Sequence, residues 1–320
     1  MIAFVVRRLL WTIFPLLVAV LIAFLMVRAI GGNPFVHGPI GLPGNTPEIF
    51  QPEVLPETLE EKYHFSDPWY VHYLRYLKGI PTFDFGPSTQ FPNREVGDII
   101  RAQAPRSLSL GVLALSWAFL VGLPAGVLAA LRVNSGVDYA VRALASLSFA
   151  VPNFFVATLL IYFLSVRLGL LPTSGWGTWK HMLMPSFALG LLPLGYVVRL
   201  VRGAVLETLQ ADYVRAARAK GLSRRRVVSV HVVRNSLIPV VTVAGPLLGI
   251  IITGSFVIEN IFSIPGVGRY FVVAVEARDY GVVMGLTVVI TLLVAGANLV
   301  VDVLYAILDP RVLEPREAGG

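Results

Sequence analysis

Cysteine is absent from this sequence of 320 residues, and only four of its 26 basic residues are lysines. Without cysteine, the chain can form neither disulfide bonds nor thiolate metal sites. None of the lysines follows a glycine, so the Gly-Lys-Ser/Thr ending of a phosphate-binding loop is also missing. The chain therefore has no P-loop for ATP, and any ATP that drives its activity must bind another polypeptide.

Charged residues are scarce as well, at 14% of the chain, whereas soluble globular proteins carry about 25%. The five histidines are scattered, and none has the spacing of a His-Glu-x-x-His metal site. The long apolar runs contain no pair of His, Asp or Glu residues that could act together in catalysis. We therefore expect neither an enzyme nor a metal site, and no cofactor bound by the chain itself.

What the sequence does contain is six long runs without a charged residue. A helix rises ~1.5 Å per residue, so about 20 residues cross the hydrocarbon core of a membrane. The runs are Leu9–Val27, Leu108–Leu131, Ala143–Val166, Met182–Val198, Asn235–Ile258 and Tyr280–Val301. Prolines that permit kinks lie within them, namely Pro124, Pro152, Pro193 and Pro246. The sequence therefore predicts an all-α membrane protein with six transmembrane helices, of which the fourth has the shortest run.

The basic residues of the short loops indicate how these helices are oriented. With the N-terminus inside, the inner segments include nine basic residues from Arg199 to Arg234, whereas the short outer loops carry four. Cytoplasmic loops have the excess of basic residues, so both termini are expected in the cytoplasm. Ion-coupled carriers need ionisable groups near the membrane midplane, and the six runs contain none, which argues against a secondary transporter.

These runs divide the chain into three regions: an N-terminal segment with the first span (1–30), a large extracytoplasmic region (31–104), and a core with spans two to six (105–320). In the extracytoplasmic region, four aromatic residues follow helical spacing: Trp69, Tyr70, Tyr73 and Tyr76. This pattern favours an amphipathic helix at the level of the lipid headgroups. A ligand-binding aromatic site is the alternative.

The segment 207–236, between the fourth and fifth runs, is rich in arginine, and we call it the basic loop. Asp212 suits the start of a helix, as a cap or as a partner for the helix dipole, and Gly221 suits the left-handed residue that ends one. Ser223 can cap a second helix that follows directly. The loop therefore predicts two helices joined by a glycine turn, although the β-branched run Val227–Val233 is also compatible with a strand.

The residues of the basic loop leave two interpretations open. Ala216 and Ala217 leave one face of the first helix without bulk, which favours insertion into the groove of a partner protein, where Arg215 and Arg218 would pair with acidic groups. Alternatively, the arginines hold the loop on anionic lipid. We expect no nucleic-acid partner, because the same residues are needed to hold the loop on the inner face.

The loop sequence RAARAKGLSRRRVVSVHVVRNSLIP resembles the cytoplasmic "EAA" loop of ATP-binding-cassette (ABC) importer permeases, in the version found in peptide permeases. Ala216, Ala217 and Gly221 match the motif. Arg215 occupies its first position, which is often glutamate, and Pro239 lies further along the chain than the proline of the usual Leu-Pro ending. Both departures are usual in the peptide subgroup. In that family the loop forms a coupling helix that docks into a cytoplasmic ATPase subunit. The resemblance therefore implies a set of ATPase-coupling residues: Asp212, Tyr213, Arg215, Ala216, Ala217, Arg218, Lys220, Gly221 and Leu222.

Other segments resemble the same subgroup in the same order: DFGPS at Asp84–Ser88, VPNFFVATLL at Val151–Leu160, LPTSGW at Leu171–Trp176, and GIIITGSFVIENIFSIPGVGRYF at Gly249–Phe271. The chain is thus identified as a member of the peptide and nickel permease family, similar to B-type oligopeptide permease subunits. The resemblance implies the type I ABC importer permease fold and a multi-pass place in the cytoplasmic membrane.

The same resemblance implies partners. These are a second homologous permease subunit, two cytoplasmic ATPase subunits that bind ATP and Mg²⁺, and an extracytoplasmic peptide-binding protein. A permease of a nickel or other small-solute ABC importer is the alternative function, and a secondary transporter or channel is a further one.

Small and polar residues in and beside the spans are candidates for a translocation path. They are Asn153, Gly249, Gly254, Ser255 and Glu259. A carboxylate at the outer end of the fifth run can meet the ammonium group of a peptide. The alternatives are close helix packing through the small residues and, for the carboxylate, an ion pair with Arg269 or Arg278.

Overall fold

The computed structural model describes residues 2–30, 68–88, 94–277 and 279–308. Within these ranges the regular structure is helical, apart from one isolated antiparallel bridge between Pro87 and Glu95. The all-α prediction is therefore confirmed for the described part of the chain. Most of the predicted extracytoplasmic region 31–104 lies outside it, as do the last residues of the chain.

The helices of the described ranges are α1 (Ile2–Ile30), α2 (Trp69–Gly79), α3 (Val96–Leu131), α4 (Gly136–Ala150), α5 (Asn153–Leu160), α6 (Trp179–Gln210), α7 (Asp212–Ala219), α8 (Arg224–Arg226), α9 (Arg234–Thr242), α10 (Ala244–Ile261), α11 (Val267–Glu276) and α12 (Tyr280–Leu308). Two π-helical segments extend them: Ile161–Arg167 continues α5, and Val227–Val233 joins α8 to α9. The β-branched run that was compatible with a strand is therefore helical. It lies between two helices, and its backbone groups bond along the chain.

Within the described ranges, three helices are long and apolar enough to cross a membrane, judged by length and composition: Val96–Leu131, Trp179–Gln210 and Tyr280–Val303. A fourth candidate is the pair formed by α4 and Asn153–Arg167, which is bent by 101°. Of the remaining apolar runs, Leu9–Val27 lies within α1, and Asn235–Ile258 is divided between α9 and α10. The total of six spans stays a prediction.

The proline-containing runs behave differently from one another. Pro185 and Pro193 lie inside α6, which continues for 32 residues without a break and is therefore about 48 Å long at ~1.5 Å per residue. The charge-free run Met182–Val198 is therefore much shorter than the helix that contains it. By contrast, Pro152 lies at the bend between α4 and α5, where Val151 and Pro152 are not helical.

Glycines bring α3 and α6 into close contact. A Cβ atom added to Gly126 would lie 2.7 Å from Val201 Cβ, and one added to Gly122 would lie 2.9 Å from Val197 Cγ1. On α6, a Cβ atom at Gly190 would meet the backbone of α3. Lipid tails are as apolar as leucine, so helices in a bilayer associate largely through such van der Waals packing. The pair α3 and α6 is the tightly packed centre of the fold.

Three buried apolar clusters follow one another along α3. Val96 and Ile100 belong to the first, which α3 shares with α1, α11 and α12. Leu110 belongs to the second, shared with α5, α6 and α10. Ala130, at the other end of α3, belongs to the third, where α7 packs against α6. We call this end of the bundle the basic end, because the basic loop forms its surface.

The aromatic helix predicted in the extracytoplasmic region is α2, so its helical conformation is confirmed. The Tyr73 ring packs against Phe24 of α1, with 5.5 Å between the ring centroids. Trp69, Tyr70 and Leu74 are exposed, as are Arg75 and Lys78. Helix α2 therefore lies against α1 and exposes apolar and basic side chains together, and whether lipid or a ligand covers its aromatic residues stays a prediction.

Replacing Gly126 with alanine should destabilise the protein, because the added Cβ would lie 2.7 Å from Val201 Cβ and 2.9 Å from the Val198 oxygen. Overpacking of this kind costs roughly 1–3 kcal/mol. Gly203→Ala on α6 is the matched control, since a Cβ there meets nothing within 4 Å. Thermal unfolding in detergent should give a lower Tm for Gly126→Ala alone; equal Tm values would contradict the close packing.

Candidate functional site

Helix α7 carries the candidate site, and its start is formed by local contacts. Ala211, in an extended conformation, precedes the helix, and Asp212 occupies its first turn. There the carboxylate complements the helix dipole and lies 3.5 Å from Arg215 Nη1. The Arg215 guanidinium also donates a hydrogen bond to the Gln210 carbonyl oxygen at 3.0 Å. Of the two roles considered for Asp212, capping and dipole compensation, the second is observed.

The end of α7 is a Schellman motif centred on Gly221, which has a φ of +80°. The Gly221 amide donates to the Arg218 carbonyl at 3.0 Å, and the Leu222 amide donates to the Ala217 carbonyl at 3.3 Å. A side chain is strained at this φ, so glycine is the residue that allows the sharp turn. The predicted glycine turn is confirmed.

The two faces of α7 differ in what they contact. Val214 and Ala217 are buried in the third cluster, whereas Ala216 is exposed. The two alanines therefore do not share one face, as the sequence argument assumed. The reason is the helix period, which groups Ala217 with Val214 three residues earlier and turns Ala216 outward. Of the two small residues, only Ala216 is available to a partner.

The part of the basic loop after the glycine turn, residues 224–236, is its second arm. It begins as a helix at Arg224, as predicted, but the Ser223 side chain does not form the predicted cap. The Ser223 carbonyl instead accepts a hydrogen bond from the Val227 amide at 3.0 Å. Val227 and Val232 then insert into the third cluster beside α7. The arm is thus held by apolar packing and main-chain bonds.

Two polar contacts close the base of the loop. The Asn235 amide nitrogen donates to the Tyr213 hydroxyl at 2.9 Å, which ties the second arm to α7. The Ser236 hydroxyl donates to Thr208 Oγ1 at 3.1 Å, which ties the second arm to the end of α6. These contacts hold the loop in one arrangement relative to the helix before it.

The outward surface of the loop is strongly basic. Residues 211–236 contain seven basic residues and one acidic residue, Asp212. All seven basic residues are exposed: Arg215, Arg218, Lys220, Arg224, Arg225, Arg226 and Arg234. The loop is therefore a charged projection with an apolar base, suited to contact an acidic surface.

The candidate path residues lie in several environments. Asn153 is the first residue of α5, at the bend, and is partly exposed. Gly249 is buried and faces α12, since a Cβ there would lie 3.2 Å from Val294 Cγ1. Ser255 is buried too, and the surroundings of Gly254 lie outside the described residues. Their role in a translocation path stays a prediction.

Glu259 is fully buried at the end of α10. Its Oε2 accepts a hydrogen bond from the backbone amide of Arg269 at 3.0 Å, in the first turn of α11. Next to it, the Ser107 hydroxyl accepts a hydrogen bond from the Val267 amide at 2.8 Å. Arg269 thus contributes its main chain to the carboxylate, and the other considered partner, Arg278, lies outside the described residues. Glu259 fixes α11 to α10.

Comparison with known proteins decides the family. A family model described as "binding-protein-dependent transport system inner membrane component" matches residues 122–314. The chain belongs to this family. It is 42% identical over 297 residues to the dipeptide transport system permease protein DppB of Bacillus subtilis, covering 93% of each chain. It is also 40% identical over 314 residues to the oligopeptide transport system permease protein OppB of Escherichia coli, covering 98% of this chain and 99% of that protein.

A solved structure supports the fold of this family member. An inward-facing structure of the MetNI methionine ABC transporter matches with a TM-score of 0.54 and 18% identity, covering 66% of this chain and 96% of the matched chain. At this identity the likeness concerns the fold alone. About two thirds of this chain therefore shares the fold of the matched transporter chain.

Two buried polar contacts in this family member were not evident from its sequence. Arg202 of α6 forms an ion pair with Asp138 of α4, with 2.7 Å between Nε and Oδ1. Ser88, in the segment DFGPS, donates a hydrogen bond to Asp279, whose Oδ1 accepts from the Val282 amide at the start of α12. For Asp138 the available signal was its isolation, because it is the one acidic residue between Arg132 and Arg142.

Gly221→Val should loosen the end of α7 in this permease family member. Nothing lies within 4 Å of an added Cβ, so the effect is conformational, and a left-handed residue other than glycine costs roughly 1–2 kcal/mol. Hydrogen–deuterium exchange of the Leu222 amide should therefore rise by about tenfold. Gly221→Asn is the control, because asparagine tolerates this conformation and should leave exchange near the wild-type rate. Similar exchange in Gly221→Val and wild type would contradict the Schellman motif.

Proposed function

We propose that this chain is a transmembrane permease subunit of an ABC importer that moves oligopeptides or dipeptides across the cytoplasmic membrane. The observation that carries the proposal is the similarity over nearly the whole chain to permease proteins of oligopeptide and dipeptide transport systems. The family description names an inner membrane component, in agreement with the long apolar helices. The chain is a transport subunit and not the ATPase.

The basic loop is the contact for the ATPase in this proposal. Its outer face presents Ala216 between charged neighbours, and its inner face is anchored by Val214 and Ala217 in the third cluster. The coupling residues are the nine that the resemblance implies: Asp212, Tyr213, Arg215, Ala216, Ala217, Arg218, Lys220, Gly221 and Leu222. Among them Ala217 and Gly221 act through the shape of the helix. ATP and Mg²⁺ bind the ATPase subunits, consistent with the missing P-loop in this sequence.

The assembly and topology follow the same proposal. A binding-protein-dependent system requires a binding protein, and we propose an extracytoplasmic one that delivers peptide. A second homologous permease and two ATPase subunits complete the importer. The chain crosses the membrane six times with both termini in the cytoplasm, and the region 31–104 lies outside.

Ala216→Arg should reduce association with the ATPase subunits at least about tenfold. A long charged side chain would replace an exposed methyl group where the partner must approach closely. Disrupting a desolvated contact of this kind costs more than about 1.4 kcal/mol of binding free energy, which corresponds to that factor. Co-purification of the ATPases with the tagged permease measures this. Ala217→Arg would instead disturb the chain's own packing, since Ala217 is buried.

Ala102→Arg is the matched control for this experiment. Ala102 is also an exposed helical alanine, but it lies on α3 near the first cluster, at the end of the bundle away from the basic loop. This variant should keep wild-type association. Normal assembly of Ala216→Arg would contradict the docking role of α7.

The permease purified without its ATPases should hydrolyse no ATP.

The proposed topology predicts opposite labelling of two single-cysteine variants. The natural chain has no cysteine, so Ser223→Cys and Ser174→Cys each introduce one unique and exposed thiol. In intact cells a membrane-impermeant maleimide should modify Ser174→Cys and leave Ser223→Cys unmodified. Permeabilised cells, in which both should react, are the control. Modification of Ser223→Cys from outside would place the basic loop away from any cytoplasmic ATPase.

A further inference from the structure

A buried ion pair joins α4 to α6 near the basic end. Arg202 Nε lies 2.7 Å from Asp138 Oδ1, and Arg202 Nη2 lies 2.9 Å from Asp138 Oδ2. The Asp138 side chain is 0% exposed and the Arg202 side chain 20%. The Asn134 amide donates a further hydrogen bond to Oδ2 at 2.9 Å. Both carboxylate oxygens are thus bound by the fork of one guanidinium.

This contact differs in kind from the exposed ion pairs of the chain. Asp98 and Arg101 lie 3.5 Å apart, three residues from each other on one helix, with both side chains more than half exposed. Such pairs contribute little to structure. A bidentate pair between two helices fixes both distance and orientation, and removing one partner leaves a buried charge without compensation. Asp138–Arg202 is therefore a rigid link between two helices.

The ion pair is one of several contacts between α4 and α6; the guanidinium carbon of Arg199 on α6, for example, lies 3.9 Å from the centroid of the Phe149 ring on α4. The buried residues of α4 are Asp138, Ala145 and Ser148. Ala145 and Ser148 lie against Gly195, where an added Cβ would be 2.7 Å from the Ala145 oxygen. The residue numbers rise from 138 to 145 on α4 and fall from 202 to 195 on α6, as expected for antiparallel helices in register. The rest of α4 is largely exposed, so its contacts with α6 contribute strongly to its position.

The apolar cluster that anchors α7 does not include α4. Among the described residues, its buried members come from α3, α6, α7, α9, α10 and the π-helical segment Val227–Val233. Arg202 lies on the last turns of α6, which ends at Gln210, and α7 begins at Asp212. The ion pair therefore provides the link between α4 and the stretch of α6 that carries the basic loop.

We propose that Asp138 and Arg202 are positioning residues that transmit a displacement of α7 to α4 and α5. This inference rests on the proposed function, in which an ATPase moves α7. Because α6 continues into α7 through one residue, the end of α6 moves with the loop, and the ion pair makes α4 follow. Beyond the bend, α5 places Ala157 in the second cluster, so the displacement reaches the middle of the bundle.

The test uses the complete importer reconstituted in liposomes, with peptide uptake and ATP hydrolysis measured on the same preparation. Asp138→Asn should keep ATP hydrolysis near the wild-type rate but lower the peptide taken up per ATP at least about fivefold, the lower end of the usual range for coupling between sites. Arg202→Lys should give an intermediate loss, because an ammonium group cannot bind both oxygens in the same fork. A contact needed only for stability would not change this ratio.

Two further variants act as controls. Asp98→Asn removes an exposed ion pair and should leave the uptake-to-ATP ratio unchanged. The double exchange Asp138→Arg with Arg202→Asp restores opposite charges and should recover part of the ratio, though not all of it, because the Asn134 amide then faces a cation. A wild-type ratio in Asp138→Asn would overturn the proposal. Failure of the single variants to assemble, without rescue by the exchange, would also overturn it, since the pair would then be a folding contact.

A distance measurement separates this inference from the proposed function. Spin labels on Tyr139→Cys of α4 and Ser229→Cys of the basic loop, both exposed positions outside the proposed coupling residues, report the distance between α4 and the loop. In the otherwise wild-type complex the distance should stay narrow and constant when ATP is added, and Asp138→Asn should broaden it. Equal distributions would overturn the link even if transport is normal. A wild-type complex that takes up no peptide would count against the proposed function instead.

Discussion

The glycines of α3 and α6 bring the two helices within van der Waals contact, and this spacing determines where the valines of α6 lie. Val197 and Val201 contact α3 at these glycines. Together with Val205 they belong to the apolar cluster that buries one face of α7. A wider separation would leave voids between the helices, and a bilayer provides no hydrophobic force to close them. The orientation of the basic loop therefore depends on a contact made well inside the bundle.

Helix α7 has eight residues, fewer than the number at which isolated helices become stable in water. Its conformation is maintained from three directions: the Schellman motif at Gly221, the burial of Val214 and Ala217, and the bond between Asn235 and Tyr213. The result is a short, charged helix with a fixed orientation. The docking role that we propose for α7 needs this rigidity, because a flexible loop would absorb the displacement.

Local features of the sequence predicted local structure well. Gly221 ends α7 in the left-handed conformation, and the second arm begins at Arg224. Errors arose where a residue has several possible partners. The Ser223 side chain was expected to cap the second helix, but the Ser223 carbonyl accepts a hydrogen bond there instead. Ala216 and Ala217 were assigned to one face of α7, but the helix period places one on the exposed side and the other on the buried side. Pro152 lies at the 101° bend between α4 and α5, whereas Pro185 and Pro193 lie inside α6, which has no break. The presence of proline in an apolar run therefore did not by itself predict which helix bends.

The sequence by itself determined that the chain is helical and apolar, that it carries no P-loop motif, and that a basic loop with a central glycine turn lies between the fourth and fifth apolar runs. These properties follow from composition and from the few residues around each turn. Only the tertiary structure decided which face of α7 is buried and that Asp138 meets Arg202, 64 residues away. Such contacts depend on how two long helices pack, and a shift of one turn would bring different side chains together without changing either local pattern.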